Sequence, residues 1–296
     1  MENICEGKFF KEIEANQMDK EITNEDAFAQ KVIWITGASA GIGEAMAVAF
    51  AASGAKLVLS ARNSLELERV KARCLEAGVD QREVLVVKMD VVDVDAMPRA
   101  VEEVMKAFAR IDLLINNAGV GVRDFCIDTN LDVYRKALEV DLIGPIALTK
   151  QVLPIMISQG SGHIAGTSSV AGKVGVPLRT AYCAAKFGLI GFLDALRAEV
   201  AYHGIKVSTI IPGLVKTGAV ANAMTGDGSV IGAKDGVMTE GLTAEEAAAA
   251  ILPELAKYAD EFVIGNCDSS KMVEMKRNDQ TQIFRGLEQM AASLYE

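Results

Sequence analysis

The stretch VIWITGASAGIGEAM, residues 32–46, decides how this chain folds. An apolar, β-branched run ends at Thr36 and meets three glycines, Gly37, Gly41 and Gly43, before a segment with helical character begins. A turn this tight needs backbone angles that only glycine adopts freely, and a phosphate needs bare N–H groups within reach. The start of the following helix adds a partial positive charge that suits a pyrophosphate. Alone, such a turn could be an ordinary tight turn. Its place at the head of the first strand–helix unit points instead to a dinucleotide site at Gly37, Ser39, Ala40, Gly41, Ile42 and Gly43.

Working outward, the same texture repeats. KLVLS at 56–60, VLVVKM at 84–89, LLINN at 113–117, HIAGTS at 163–168, KVSTII at 206–211 and EFVIG at 261–265 are short runs separated by segments long enough for crossover helices. Strands that are apolar throughout belong to a parallel sheet covered on both faces. The expected class is α/β, a single Rossmann-like doubly wound sheet over residues 31–296. Residues 1–30, acidic with scattered Phe9, Phe10, Ile13, Ile22 and Phe28, read as a partly helical extension that docks loosely or frays. Residues 217–241, rich in glycine, alanine and small polar groups, read as a mobile flap over a site, or as a plain surface loop. Thr243 and Glu246 predict a capping box. Ile283, Leu287, Met290 and Leu294 form an apolar face suited to docking on the core or on a partner subunit.

The composition narrows the function. The chain has 296 residues, half of them hydrophobic, enough to bury a full core. Its net charge of -10 would repel phosphate backbones and anionic lipid, so neither nucleic acid nor membrane is an expected partner. No basic, apolar leader opens the sequence and no stretch reads as a membrane span. Five cysteines, at 5, 74, 126, 183 and 267, form no C-x-x-C pair, which suggests neither a metal site nor a disulfide scaffold. A soluble, cytoplasmic protein is expected.

Two further constellations carry chemistry. The second strand ends at Leu59-Ser60-Ala61-Arg62-Asn63 with no acid before Glu66, where NAD sites usually place an Asp or Glu for the ribose hydroxyls. Arg62 would instead bond a 2′-phosphate, so NADP(H) is preferred and NAD(H) remains possible. A surface arginine at a strand end is the plainer alternative. Tyr182 and Lys186 lie four residues apart on a helical stretch and so share a face. A phenol with a pKa of about 10 is a poor base at neutral pH, but a neighbouring ammonium and a positive nicotinamide favour the phenolate. Ser169, thirteen residues before Tyr182 at a strand end, could hold the same substrate oxygen.

These motifs, in order and spacing, resemble the short-chain dehydrogenase/reductase family. Thr36–Gly43, Asp90-Val91, Asn116-Asn117-Ala118-Gly119, Ser168-Ser169, Tyr182 with Lys186, and Pro212-Gly213 followed by Val215 and Thr217 carry the likeness over residues 31 to about 220. The resemblance implies that Asp90 and Val91 meet the adenine and that Asn63 lies with Arg62 at the adenosine end. It implies that Asn117, Ala118 and Gly119 line the cofactor cleft and that Pro212, Gly213, Val215 and Thr217 pass beside the nicotinamide. Lys186 would hold the nicotinamide ribose, Tyr182 would be the acid or base, and Ser169 the oxygen anchor. One departure stands out: Val140-Asp141-Leu142-Ile143-Gly144 places Asp141 where the family usually has an asparagine that helps hold water in a proton path. Asp141 is kept as a fourth catalytic candidate. It could accept bonds but, when ionised, could not donate, and its charge would oppose phenolate and move the active pH upward.

Other residues are read more plainly. His163 and His203 are expected to be surface or strand-end residues, Cys183 a packing residue, and Asn116 a tie between strands. Met224 and Met238 could shape an adaptable pocket. The flap residues Val220, Met224, Val230, Ile231, Val237 and Met238 lean toward a small apolar carbonyl or alcohol substrate. The resemblance implies a homodimer or homotetramer through helices near 130–155 and 182–202. The expected function is interconversion of a carbonyl and an alcohol by hydride transfer. A catalytically silent NADP(H)-sensing protein and an oligomeric scaffold are the competing readings.

Overall fold

The seven apolar runs become seven parallel strands, the central ones buried on both faces and the edge strands β3 and β9 only partly covered. In this computed structural model, residues 23–232 and 240–295 are described. Helix α1 (Asn24–Phe28) leads into β1 (Val32–Thr36), α2 (Gly41–Ala52), β2 (Lys56–Ala61), α3 (Ser64–Glu76), β3 (Val84–Lys88), α4 (Met97–Phe108) and β4 (Leu113–Asn116). Helix α5 (Leu131–Leu138) runs through a π-helical turn at Glu139–Ile143 into α6 (Gly144–Gln159). Then come β5 (Gly162–Thr167), α7 (Thr180–Val200) and β6 (Ile205–Pro212). The two-residue strands β7 (Val215–Lys216) and β8 (Leu242–Thr243) pair with each other, and α8 (Ala244–Ala256), β9 (Glu261–Ile264), α9 (Cys267–Asn278) and α10 (Gln280–Ala292) follow.

The strand order is β3-β2-β1-β4-β5-β6-β9. It reverses between β1 and β4, and a doubly wound sheet opens its binding crevice at the carboxyl ends of the strands where the order reverses. Two cores flank the sheet. One gathers Phe50 and Met46 of α2 and Ile251 and Leu255 of α8, the other Met97 of α4, Val152 of α6 and Leu193 of α7. The buried indole of Trp34 donates to Ser60 Oγ at 2.8 Å, so this large side chain enters the core without an unpaired N–H.

Several local expectations are refined. Phe28 of the extension is buried edge-on against Phe50, with ring centroids 4.9 Å apart, so its described end docks firmly. The continuous helix Leu131–Gln159 is long and apolar enough to cross a membrane by length and composition. Its Leu148, Val152 and Met156 are fully buried against the sheet. The expected flap is no free loop over its described part: Arg123 N–H donates to Met224 O, Met224 N–H to Gly121 O, Asn130 N–H to Gly226 O, and Gly226 N–H to Asp124 Oδ2. Met224 is buried beside Val122 and Val133. Val237 and Met238 lie outside the described residues. Along the tail, Ile283 is buried and Leu287 faces a groove with Val176, Pro177 and Cys183, whereas Met290 and Leu294 stay exposed.

Candidate active site

The glycine turn sits where β1 hands over to α2, at the reversal of strand order. Gly37 and Gly41 have φ of 66° and 58°, in the left-handed region that favours glycine. A Cβ on Gly37 would come within 2.8 Å of Ala118 Cα, and one on Gly43 would collide with the Gly37 carbonyl and Asn117 Nδ2. Glycine is therefore required both by the turn and by the loop after β4 that lies over it. Ala40, the N-cap of α2, offers no side-chain hydrogen bond, which leaves the first-turn N–H groups around Gly41, Ile42 and Gly43 without a cap.

Thr36 joins the two loops. Its hydroxyl accepts from Asn117 N–H at 2.9 Å and Ala118 N–H at 3.0 Å, and Asn117 Nδ2 donates to Thr36 O at 3.1 Å. Thr217 closes the other side, with its methyl 3.1 Å from where a Gly41 Cβ would lie. Gly213 N–H donates to Ile264 O at 2.7 Å, and Val215 is buried, so the segment after β6 is held against the same edge. Asp90 makes a turn by accepting from Val92 N–H at 3.2 Å, next to the buried Val91. Arg62 is exposed at the end of β2 and makes no ion pair or hydrogen bond among the described residues. Asn63 Oδ1 caps α3, accepting from Leu65 and Glu66 N–H at 3.1 and 3.3 Å, so the amide end of this side chain is the part left to meet a ligand.

The second cluster stands on α7. Tyr182 and Lys186 share one face as their spacing requires, with Lys186 Nζ 5.6 Å from the phenol ring centroid. The ammonium is buried and donates to Thr167 O at the end of β5, at 3.0 Å. Ser169 follows two residues after that strand end, half-buried, its Oγ accepting from Ala171 N–H at 3.1 Å. Asp141, on the π-helical turn, is fully buried; its Oδ1 lies 3.9 Å from Lys186 Nζ and accepts from Val120 N–H at 2.8 Å. A Cβ on Gly119 would sit 2.9 Å from Asp141 Oδ1 and 3.3 Å from Lys186 Nζ. The loop after β4 thus links the glycine turn to the α7 cluster. Burial pushes the Asp141 carboxyl up to about 6, against the downward pull of Lys186 and the Val120 N–H. Asp141 Oδ2 and Thr167 Oγ1 are buried with no hydrogen-bond partner among the described residues.

Three residues that the sequence did not single out hold the turn from behind. Glu44 is buried on the first turn of α2 and accepts from Arg69, at 2.6 and 2.8 Å, and from Arg73, both on α3. Arg69 Nη2 also donates to Ser39 O at 3.2 Å. The Arg69 hydrogen bond holds Glu44 below the usual carboxylate range, with Arg73 adding to it against the opposing effect of burial. The signal available was the helical acid at Glu44 itself, but the pairing crosses two helices.

Two expectations are made specific. Asn116 pairs through its backbone with Gly166 of β5, and its side chain also ties β4 to α6, donating from Nδ2 to Thr149 Oγ1 at 3.0 Å. His163 lies at the start of β5 but is buried, its Nε2 2.8 Å from Ser208 Oγ; burial lowers the imidazole to about 3 and keeps it neutral. Exposed His203 and buried Cys183 sit as expected, the latter accepting from Val176 N–H.

Comparison with known proteins agrees with this geometry. Residues 31–227 match the short chain dehydrogenase family. The human dehydrogenase/reductase SDR family member 7 is 47% identical over 198 residues, 66% of this chain and 58% of that protein, so the chain spans less than two thirds of this relative's length. A short-chain dehydrogenase/reductase from Burkholderia phymatum, in complex with NAD, matches with a TM-score of 0.76 at 25% identity, over 86% of this chain and 95% of its own. A metagenomic short-chain oxidoreductase in complex with NADP gives 0.66 at 28% identity, over 80% and 98%. This chain belongs to the short-chain dehydrogenase/reductase family of NAD(P)-dependent oxidoreductases.

Proposed function

We propose that the protein interconverts a small apolar carbonyl and the corresponding alcohol with NADP(H), using Tyr182 as the acid or base. The observation that carries this reading is the buried Lys186 ammonium one helical turn from the Tyr182 phenol, beside a glycine turn whose helix start is left uncapped. The residues present fit a dinucleotide: a Cβ at Gly37 or Gly43 would collide with the loops that shape the turn, and the first-turn N–H groups of α2 match a diphosphate. Gly37 to Gly43 would hold the phosphates, Asp90 and Val91 the adenine, Asn117 to Gly119 the cleft wall, and Pro212 to Thr217 the nicotinamide side. When bound, the cofactor supplies or accepts the hydride.

The chain's own side chains manage the oxygen. Ser169 Oγ offers a hydroxyl at the β5 end to hold the substrate oxygen, while Tyr182 gives it a proton in reduction or takes one in oxidation. Lys186, fixed on Thr167 O, favours the negative phenol oxygen and keeps it within reach. The exposed Arg62, unpaired among the described residues, and the lack of an acid between the end of β2 and Glu66 support NADP(H) over NAD(H).

The reading extends to a homodimer or homotetramer through the helices near 130–155 and 182–202, supported by exposed Leu131, Ile143 and Phe187, and to a cytoplasmic setting, supported by the free thiols of Cys74, Cys126 and Cys183. Loss of NADPH absorbance with a panel of apolar ketones and aldehydes tests the activity. Turnover in the parent chain and its loss in Tyr182→Phe are expected; cofactor binding with no turnover by the parent on any carbonyl would leave a sensing protein instead.

A further inference from the structure

Resting on the reading of Tyr182 as proton donor and acceptor, we propose that Asp141 acts through Lys186 to hold Tyr182 in its protonated, proton-donating form, so that the site works at neutral pH as a carbonyl reductase. Asp141 is completely enclosed and its Oδ1 stands 3.9 Å from the Lys186 ammonium, which in turn lies 5.6 Å from the Tyr182 ring. A negative charge there neutralises part of the field that would otherwise draw a proton off the phenol. A neutral amide in the same place would leave the lysine's whole charge to the tyrosine.

The geometry isolates this effect. The groups facing Asp141 are Lys186 on α7, which shares its face with Tyr182, and the Val120 N–H on the loop after β4. Glu139 on the same turn is exposed. With one oxygen bonded and Oδ2 unpartnered, Asp141 lacks the donors that would pin it as a purely structural anion. Burial raises its titration to about 6, so the carboxylate is charged through the neutral and alkaline range where the phenol works. The overall equilibrium between carbonyl and alcohol is unaltered. What changes is the pH at which each direction runs.

Stability permits the test. Because burial raises Asp141, the folded chain binds this proton more tightly than the unfolded one does. The group's contribution is full below the ordinary carboxylate range and is lost as pH rises through about 6. At pH 8 Asp141→Asn therefore removes an unfavourable buried charge.

The phenolate absorbance of Tyr182 can be isolated, in the full chain without cofactor, as the difference between a parent and its Tyr182→Phe partner. We expect this step to come about one pH unit lower in Asp141→Asn than in the parent, the negative charge that offsets the lysine's field having been removed. The alkaline limb of carbonyl reduction should fall by the same interval, and alcohol oxidation should gain about tenfold at pH 7. Coincident phenolate steps in the two backgrounds would overturn the proposal, even if turnover is normal. If no carbonyl is turned over, the functional reading fails while the absorbance titration still decides the role of Asp141. Asp141→Ser, small and uncharged, gives the same reading should the asparagine variant not fold.

Discussion

Helices α2 and α8 begin with the same problem, unpaired N–H groups in the first turn, and solve it in opposite ways. At α8, Thr243 Oγ1 accepts from Glu246 N–H at 3.1 Å and Glu246 Oε2 accepts from Thr243 N–H at 2.8 Å, a complete capping box. At α2 the cap position is Ala40, which has no group to offer, and the turn before it is built from glycines instead. The first start is closed by its own chain and the second is open, kept for the dinucleotide in the function proposed above. Serine, threonine, aspartate or asparagine at a cap stabilises a helix by about 1 kcal/mol, so a bare start forgoes stability in the free protein. It lies at the reversal of strand order, facing the Lys186 and Tyr182 cluster through Gly119.

Substitutions can break this contrast. The largest effect is expected at Gly43, where an alanine methyl would collide with the Gly37 carbonyl and Asn117 Nδ2. Overpacking of about 1–3 kcal/mol should weaken NADPH about 10- to 100-fold in a fluorescence titration, with some loss of stability. Arg62→Ala should weaken NADPH about tenfold or more and leave NADH unchanged, since only a 2′-phosphate would lose a charge-assisted bond. Giving α2 the cap it lacks, by Ala40→Asp, should raise the melting temperature of the free chain while weakening NADPH about tenfold, because the carboxylate takes the N–H groups and repels phosphate. Removing the cap from α8 sharpens the contrast from the other side. Thr243→Ala should cost about 1 kcal/mol in chemical denaturation and leave both cofactor constants as they were.

What could be read ahead of the structure was local. The seven strands, the glycine turn, the Tyr182 and Lys186 face and the Thr243 capping box each depend on residues a few places apart, where helix and strand periods act directly. What escaped was tertiary. Glu44 meets Arg69 and Arg73 only because α2 and α3 lie side by side, and Asn116 finds Thr149 only once α6 covers β4. His163 was placed at a strand end, but its burial could not be read, because the cover comes from Tyr258, whose ring centroid is 5.2 Å away. The burial of Asp141 depends on the π-helical turn at Glu139–Ile143, a local insertion that no apolar period announces.

The two buried carboxylates repeat the lesson of the two helix starts. Glu44 has more donors than it needs and is held low, as a brace should be. Asp141 has one N–H and a lysine at 3.9 Å and is pushed up, beside the side chains that would move a proton.

The most direct measurement is isotopic. NADPH carrying deuterium at C4 of the nicotinamide, incubated with a ketone that the protein consumes, should yield an alcohol with one deuterium on the former carbonyl carbon, and Tyr182→Phe should yield almost none. Cofactor oxidation that leaves the product alcohol without deuterium, or equal labelling by the tyrosine variant, would contradict the account.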